Sequence, residues 1–233
     1  MKVEFYPSSK DVELLVPPPK PSAFYMPEWY KNSPKFSESQ VSAQNFDTVG
    51  PNLKSCVPYL DAMINGYVQE TWQDIIIEHS KETDQVFIRY LSKPDIVSTR
   101  DRIHMSFNSN EFYNVEFVWL MPWIPKLPNG WSMLYLAPLN HTEIPFYSPA
   151  GLVDSDKFYH STFGNYPFYV KRGFSGIIPA GTPIAQMIPV YRENWKSTTV
   201  AWDEDGQRQR SFSLRKHIME SYKKMFHVKK SFS

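Results

Sequence analysis

Cysteine is nearly absent. Cys56 is the only one in 233 residues, which excludes an intrachain disulfide and any thiolate metal cluster assembled from one chain. This usage fits a reducing compartment, or a particle assembled in one. Glycine is scarce at 9 residues, whereas proline reaches 20 and aromatics 16%, a balance that favours short strands joined by stiff irregular segments over a helical bundle. No run approaches about 18 uninterrupted apolar residues, and no apolar stretch of signal-peptide length follows Met1 to Tyr6, so the sequence predicts neither a membrane span nor secretion. The histidines, His79, His104, His141, His160, His217 and His227, are scattered. They form no His-Glu-x-x-His pair and no His-Cys-Cys set of the kind a zinc deaminase needs, and no metal ligand set is predicted. A Gly-x-x-x-x-Gly-Lys-Ser loop and a Gly-x-Ser-x-Gly elbow are also missing, which removes the common phosphate-loop and serine-hydrolase classes.

What is present points to a mainly β protein. Short runs rich in β-branched and aromatic residues read as strands: Ile75-Ile76-Ile77, Val86-Phe87-Ile88, Val115 to Trp119, Met133 to Leu136 and Ile184 to Ile188. Pro122, Pro125, Pro128-Asn129-Gly130, Pro138, Pro145 and Pro149 punctuate them as turns would. The pattern predicts a barrel or sandwich.

Three parts follow: an extended proline-rich and aromatic arm over 1–52, a β domain over 53–200, and a basic C-terminal helix and tail over 201–233. In the arm, the prolines between Leu15 and Ser42 argue against a regular helix or a central strand. Phe24, Tyr25, Trp29 and Tyr30 are too many aromatics for a solvated linker, so the arm packs on its own domain or on a neighbour, and these four are the candidate interaction residues. Near the C-terminus, Ser213 reads as a helix cap, with Leu214, Ile218, Tyr222, Met225 and Phe226 on one face. From Gly206 onward eight Lys/Arg stand against one acid, about +7, and the other 17 Lys/Arg against 23 acids give about −6. Such a tail fits phosphate contacts with nucleic acid, or a solvated helix face.

Two segments resemble the dUTPase family. Gly151-Leu152-Val153-Asp154-Ser155-Asp156 is similar to its Gly-Val-Ile-Asp-Ser-Asp-Tyr segment, and Pro179-Ala180-Gly181-Thr182-Pro183-Ile184-Ala185-Gln186-Met187-Ile188 to its later Gly-Asp-Arg-Ile-Ala-Gln-Leu segment, which dCTP deaminases share in looser form. Upstream, Leu127-Pro128-Asn129-Gly130-Trp131-Ser132 looks like the turn that opens a strand before the family's phosphate-facing residues. The resemblance implies a β-clip fold, a compact barrel-like arrangement that commonly trimerises. It also marks Ser132, Asp154 and Gln186 as nucleotide-binding candidates, with Asp154 matching the water-activating aspartate and Mg²⁺ serving the triphosphate if the chain is an enzyme. Without catalysis, no cofactor is expected.

Three departures weigh against hydrolysis. Lys157-Phe158-Tyr159 replaces Tyr-Arg-Gly, Asn65-Gly66-Tyr67-Val68 lacks the acid of the early Ala-Gly-Tyr-Asp-Leu segment, and a basic amphipathic stretch stands where the family's glycine-rich arm would be. Asp154 can instead bond its local backbone, as turn-flanking aspartates do. Asp154 and Asp156 together are the one pair that could attract a hard cation. Pro27-Glu28-Trp29-Tyr30, Cys56 to Ala62 and Gly66-Tyr67 also look like segments of phage proteins. The combined expectation is a non-catalytic phage structural or assembly protein, oligomeric and by preference trimeric, in the host cytoplasm or the virion and in contact with other virion proteins. The alternatives are a divergent nucleoside-triphosphate pyrophosphatase or deaminase-like enzyme, and a regulatory nucleotide-binding module.

Overall fold

The computed structural model describes residues 1–38, 49–99, 110–159, 164–215 and 221–230. The arm does contain regular structure. β1 (Glu4–Pro7) leads to α1 (Lys10–Leu15), where Ser9 caps the first turn by accepting the Val12 N–H at 3.2 Å. Then come β2 (Lys20–Pro21), α2 (Glu28–Asn32), β3 (Phe36–Glu38), β4 (Val49–Pro51) and α3 (Val57–Ile64). This corrects the expectation of an arm without helices. Pro27 precedes α2 and Pro58 lies in the first turn of α3, positions where a missing N–H costs no helical hydrogen bond.

Strands dominate afterwards: β5 (Tyr67–Glu70), β6 (Ile75–Ser80), β7 (Gln85–Arg89), β8 (Val97–Thr99), β9 (Phe117–Met121), β10 (Trp123–Lys126), β11 (Trp131–Leu136), β12 (Phe146–Tyr147), β13 (Gly151–Val153), β14 (Gly164–Val170), β15 (Gly176–Ile178) and β16 (Pro183–Tyr191). Two helices follow, α4 (Glu204–Arg215) and α5 (Ser221–Met225). Ser213 therefore lies inside α4. The chain caps that helix with Asp203, which accepts the Gly206 N–H at 2.9 Å. Ile218 and Lys216 lie outside the described residues, as do residues 39–42 of the arm.

The fold is mainly β, and its contacts divide the chain differently from the three-part reading. One unit joins Met1–Tyr25 to Asn65–Arg192, and the other joins Met26–Ile64 to Glu193–Ser233. In the first unit the sheets run β13-β11-β16-β5-β2, β12-β14-β9-β8, β15-β6-β7 and β1-β10. None of these orders closes on itself among the described residues, so the expected closed barrel is not seen. Edges are kept harmless by length and proline instead: β2 has two residues including Pro21, β12 two and β13 three. β14 was not legible because Pro167 interrupts it. Position 167 pairs only with Val118 of β9, since β12 reaches no further than Tyr169, and the open side tolerates a residue without an N–H.

The core of this unit is aromatic at its centre. Trp119, fully buried, stacks on Phe168 with ring centroids 3.9 Å apart and meets Phe146 edge-on at 5.0 Å. Ile75, Ile77, Ile96, Met133, Ile184 and Met187 surround it. A second cluster forms where Val12 and Val16 of the N-terminal stretch meet Trp123. β16 is buried on both faces over 184–187 rather than alternating as a half-exposed strand, Ile184, Ala185 and Met187 all belonging to the core. The second unit holds an aromatic cluster of Trp29, Tyr30 and Tyr59, with centroids 5.8 to 6.3 Å apart. In the same unit Asp61 of α3 is gripped by Lys230 at 2.5 Å and His227 at 3.2 Å, and the lysine contact holds its carboxyl below the usual range.

Candidate functional site

Three of the segments that resemble dUTPase lie side by side, since β13, β11 and β16 are neighbours in one sheet. The turn at Pro128-Asn129-Gly130 opens β11: Trp131 N–H donates to the Pro128 carbonyl at 3.2 Å and Gly130 adopts φ +86. Gly130 N–H then donates to Asp156 Oδ2 at 2.9 Å, tying the turn to the loop after β13. Register places Ser132 opposite Val190, which brings Arg192, just past the end of β16, to the same corner.

Arg192 organises this corner. Its Nη1 donates to the Trp131 carbonyl at 3.0 Å, to Ser132 Oγ at 2.9 Å and to Asp154 Oδ1 at 3.0 Å, while Nη2 donates to Asp156 Oδ2 in a short ion pair. Ser132 Oγ also donates to Asp154 Oδ1, at 2.8 Å. The Asp156 side chain is 3% exposed and that of Asp154 56%. The Arg192 contact, helped by the Gly130 N–H, holds the Asp156 carboxyl down at about 2, and Asp156 in turn raises the guanidinium. One cation thus clamps the turn before β11, the exit of β13 and the end of β16, with the charge-assisted, forked geometry that arginine supplies better than lysine.

Both carboxylates already face a guanidinium, and among the described residues no group of three or more His, Cys, Asp or Glu is placed to hold a metal ion. Of the three candidates, Ser132 and Asp154 are brought together. Gln186 is not: it pairs with Leu136, four residues along β11 from Ser132, a separation of roughly 13 Å along the strand. Its side chain is buried and serves backbone, accepting from Leu139 N–H at 3.1 Å and donating to the Asn65 carbonyl at 2.7 Å.

The four arm aromatics divide between the units. Phe24 is 72% exposed, and Tyr25 donates from Oη to Glu70 at 2.6 Å, whereas Trp29 and Tyr30 belong to the aromatic cluster of the second unit. His104, His160 and His217 lie outside the described residues. Sequence reasoning missed Arg192, which no motif marks. The stretch 193–203 has no regular secondary structure and exposes Trp195 at 84% and Trp202 at 76%.

The clamp has a pH signature. Because Asp156 titrates lower in the folded chain than in the unfolded one, its stabilisation is present above about pH 4 and is lost as pH falls towards 2. Asp156→Asn is expected to lower the thermal midpoint at pH 7 and to flatten its fall between about pH 4 and pH 2. Thermal unfolding across that range checks it, and an unchanged acid slope would remove Asp156 from the account.

No protein-family model matches this chain, and no curated protein matches it either.

Proposed function

We propose that this chain is a non-catalytic structural or assembly protein built on a dUTPase-like β-clip, acting as a homo-oligomer, with a trimer as the favoured state and a phage virion as its setting. The observation that carries this reading is the Arg192 clamp. A general base needs a lone pair aimed at a water and a basicity suited to taking its proton. Here the acid in the matching position, Asp154, accepts from both Ser132 and Arg192 on one oxygen, and its neighbour Asp156 is neutralised by the same guanidinium. The corner spends its charges on holding strands together.

Assembly draws support from the second unit. Trp195 and Trp202 expose large rigid apolar area of the kind that anchors interfaces, which fits contact with a neighbouring copy or another virion protein. The lysines and arginines after Gly206 add a route to phosphate groups of nucleic acid. The preference for a trimer rests on the resemblance alone. Among the described residues no helix is long and apolar enough to cross a membrane. Native mass measurement of the purified chain, with and without a panel of deoxynucleoside triphosphates, is expected to give a trimer without nucleotide. A strictly monomeric mass at micromolar concentration, or a stoichiometric nucleotide adduct, speaks against the reading.

A divergent nucleoside-triphosphate pyrophosphatase is the second reading. The observation favouring it is that the Asp154 side chain stays more than half exposed beside Ser132.

A further inference from the structure

A pocket of about 290 Å³ lies in the first unit, lined by residues of β9, β10, β11, β13 and β14 and by the segments on either side of β13. Met121, Ile124, Tyr135, Val153, Phe158 and Tyr166 supply most of its character. Among the described residues, none that lines it is charged. The space has an identifiable origin in the sequence. Tyr135 and Gly151 are direct cross-strand partners, so they share a face of the sheet, and a Cβ built on Gly151 meets nothing within 4 Å. Val153, two residues along, lines the same pocket, while Leu152 between them is 59% exposed on the opposite face. A glycine in an edge strand has thus left Tyr135 without a side-chain neighbour on the β13 side, Met187 flanking it on the β16 side, and the pocket opens there.

We propose that this pocket binds an uncharged small molecule consisting of one aromatic ring bearing a hydroxyl or carbonyl group. Size is the first argument: an apolar cavity of about 150 Å³ already takes up benzene, so this one accommodates a ring with its substituents. Chemistry is the second. Tyr135 and Tyr166, whose rings lie 5.7 Å apart, both line the space. Burial pushes both phenols up, so they remain neutral and able to donate. Among the described lining residues no counter-charge replaces the hydration that an ionised ligand would lose, which selects a neutral one.

The inference stands apart from the assembly reading and is tested separately. Ligand-observed NMR on the full chain would compare benzyl alcohol, toluene and benzoate. Benzyl alcohol is expected to bind saturably, and benzoate at least about tenfold more weakly, because its charge is not compensated. Gly151→Leu fills the space and is expected to weaken benzyl alcohol by at least about tenfold, while Leu152→Thr on the other face leaves it unchanged. Tyr135→Phe is expected to weaken benzyl alcohol by roughly three- to tenfold and to leave toluene unaffected, as the loss of one hydrogen bond should. If Gly151→Leu does not fold by near-ultraviolet circular dichroism, Tyr135→Phe and the benzoate comparison decide alone. Absence of saturable benzyl alcohol binding, equal binding of benzoate, or wild-type binding in every folded pocket variant would overturn the proposal.

Discussion

Gly66→Ala is expected to cost about 3–5 kcal/mol, a large share of the roughly 5–15 kcal/mol that holds a domain together. Gly66 adopts φ +76, a conformation that L side chains rarely take, and a Cβ there would lie 2.1 Å from the Met187 carbonyl oxygen. That oxygen cannot retreat easily, because it belongs to β16, which is hydrogen-bonded to β11 on one side and β5 on the other. The Gly66 carbonyl meanwhile accepts the Ser22 N–H at 3.0 Å, so a shift of the glycine would also loosen the N-terminal stretch. Urea unfolding of the two chains measures the difference. A loss below about 1 kcal/mol would show that the strands approach each other less closely than described.

Trp119 gives the second large effect, and it separates two causes of stability. Trp119→Ala removes a fully buried indole stacked on Phe168 and is expected to cost about 3–5 kcal/mol. The indole N–H, however, is enclosed with no hydrogen-bond partner among the described residues. Trp119→Phe keeps the aromatic packing and deletes an unpaired donor, so its cost should be less than half that of alanine. Equal losses in the two variants would mean that the indole N–H has a partner, an ordered water for example.

Much of the fold was legible because its strands carry dense β-branched and aromatic runs. The runs at 75–77, 86–88, 133–136 and 184–188 all lie within strands. The run at 115–119 was read two residues early, since β9 starts at Phe117. β14 was hidden by Pro167, and α3 carries Pro58 in its first turn, where a proline makes a helix hard to recognise from the sequence. The basic C-terminal helix was placed too late because Ser213 resembles a cap, whereas Asp203 does the capping. By composition residues 1–52 read as one arm packed on its own domain or on a neighbour, whereas residues 1–25 belong to the first unit. Val12 and Val16 bury there and β1 pairs with β10, contacts more than a hundred residues away that no local pattern announces.

The candidate site was legible only in part, for the same reason. Local motifs singled out Ser132 and Asp154, which the sheet does bring within 2.8 Å. They also singled out Gln186, whose polar ends are consumed by backbone. Arg192 decides what the corner does, and it lies 38 residues beyond Asp154, with nothing beside it to mark it. Its role depends on the register of β11 against β16, which is a property of the folded sheet.

Incubation of the purified chain with dUTP and Mg²⁺, with pyrophosphate release as the readout, tests whether the corner around Asp154 is a clamp or a catalytic centre. The clamp predicts no release above that of buffer alone, and no change on Asp154→Asn. Magnesium-dependent release of pyrophosphate that Asp154→Asn abolishes, in a variant that still unfolds at the wild-type temperature, would contradict it.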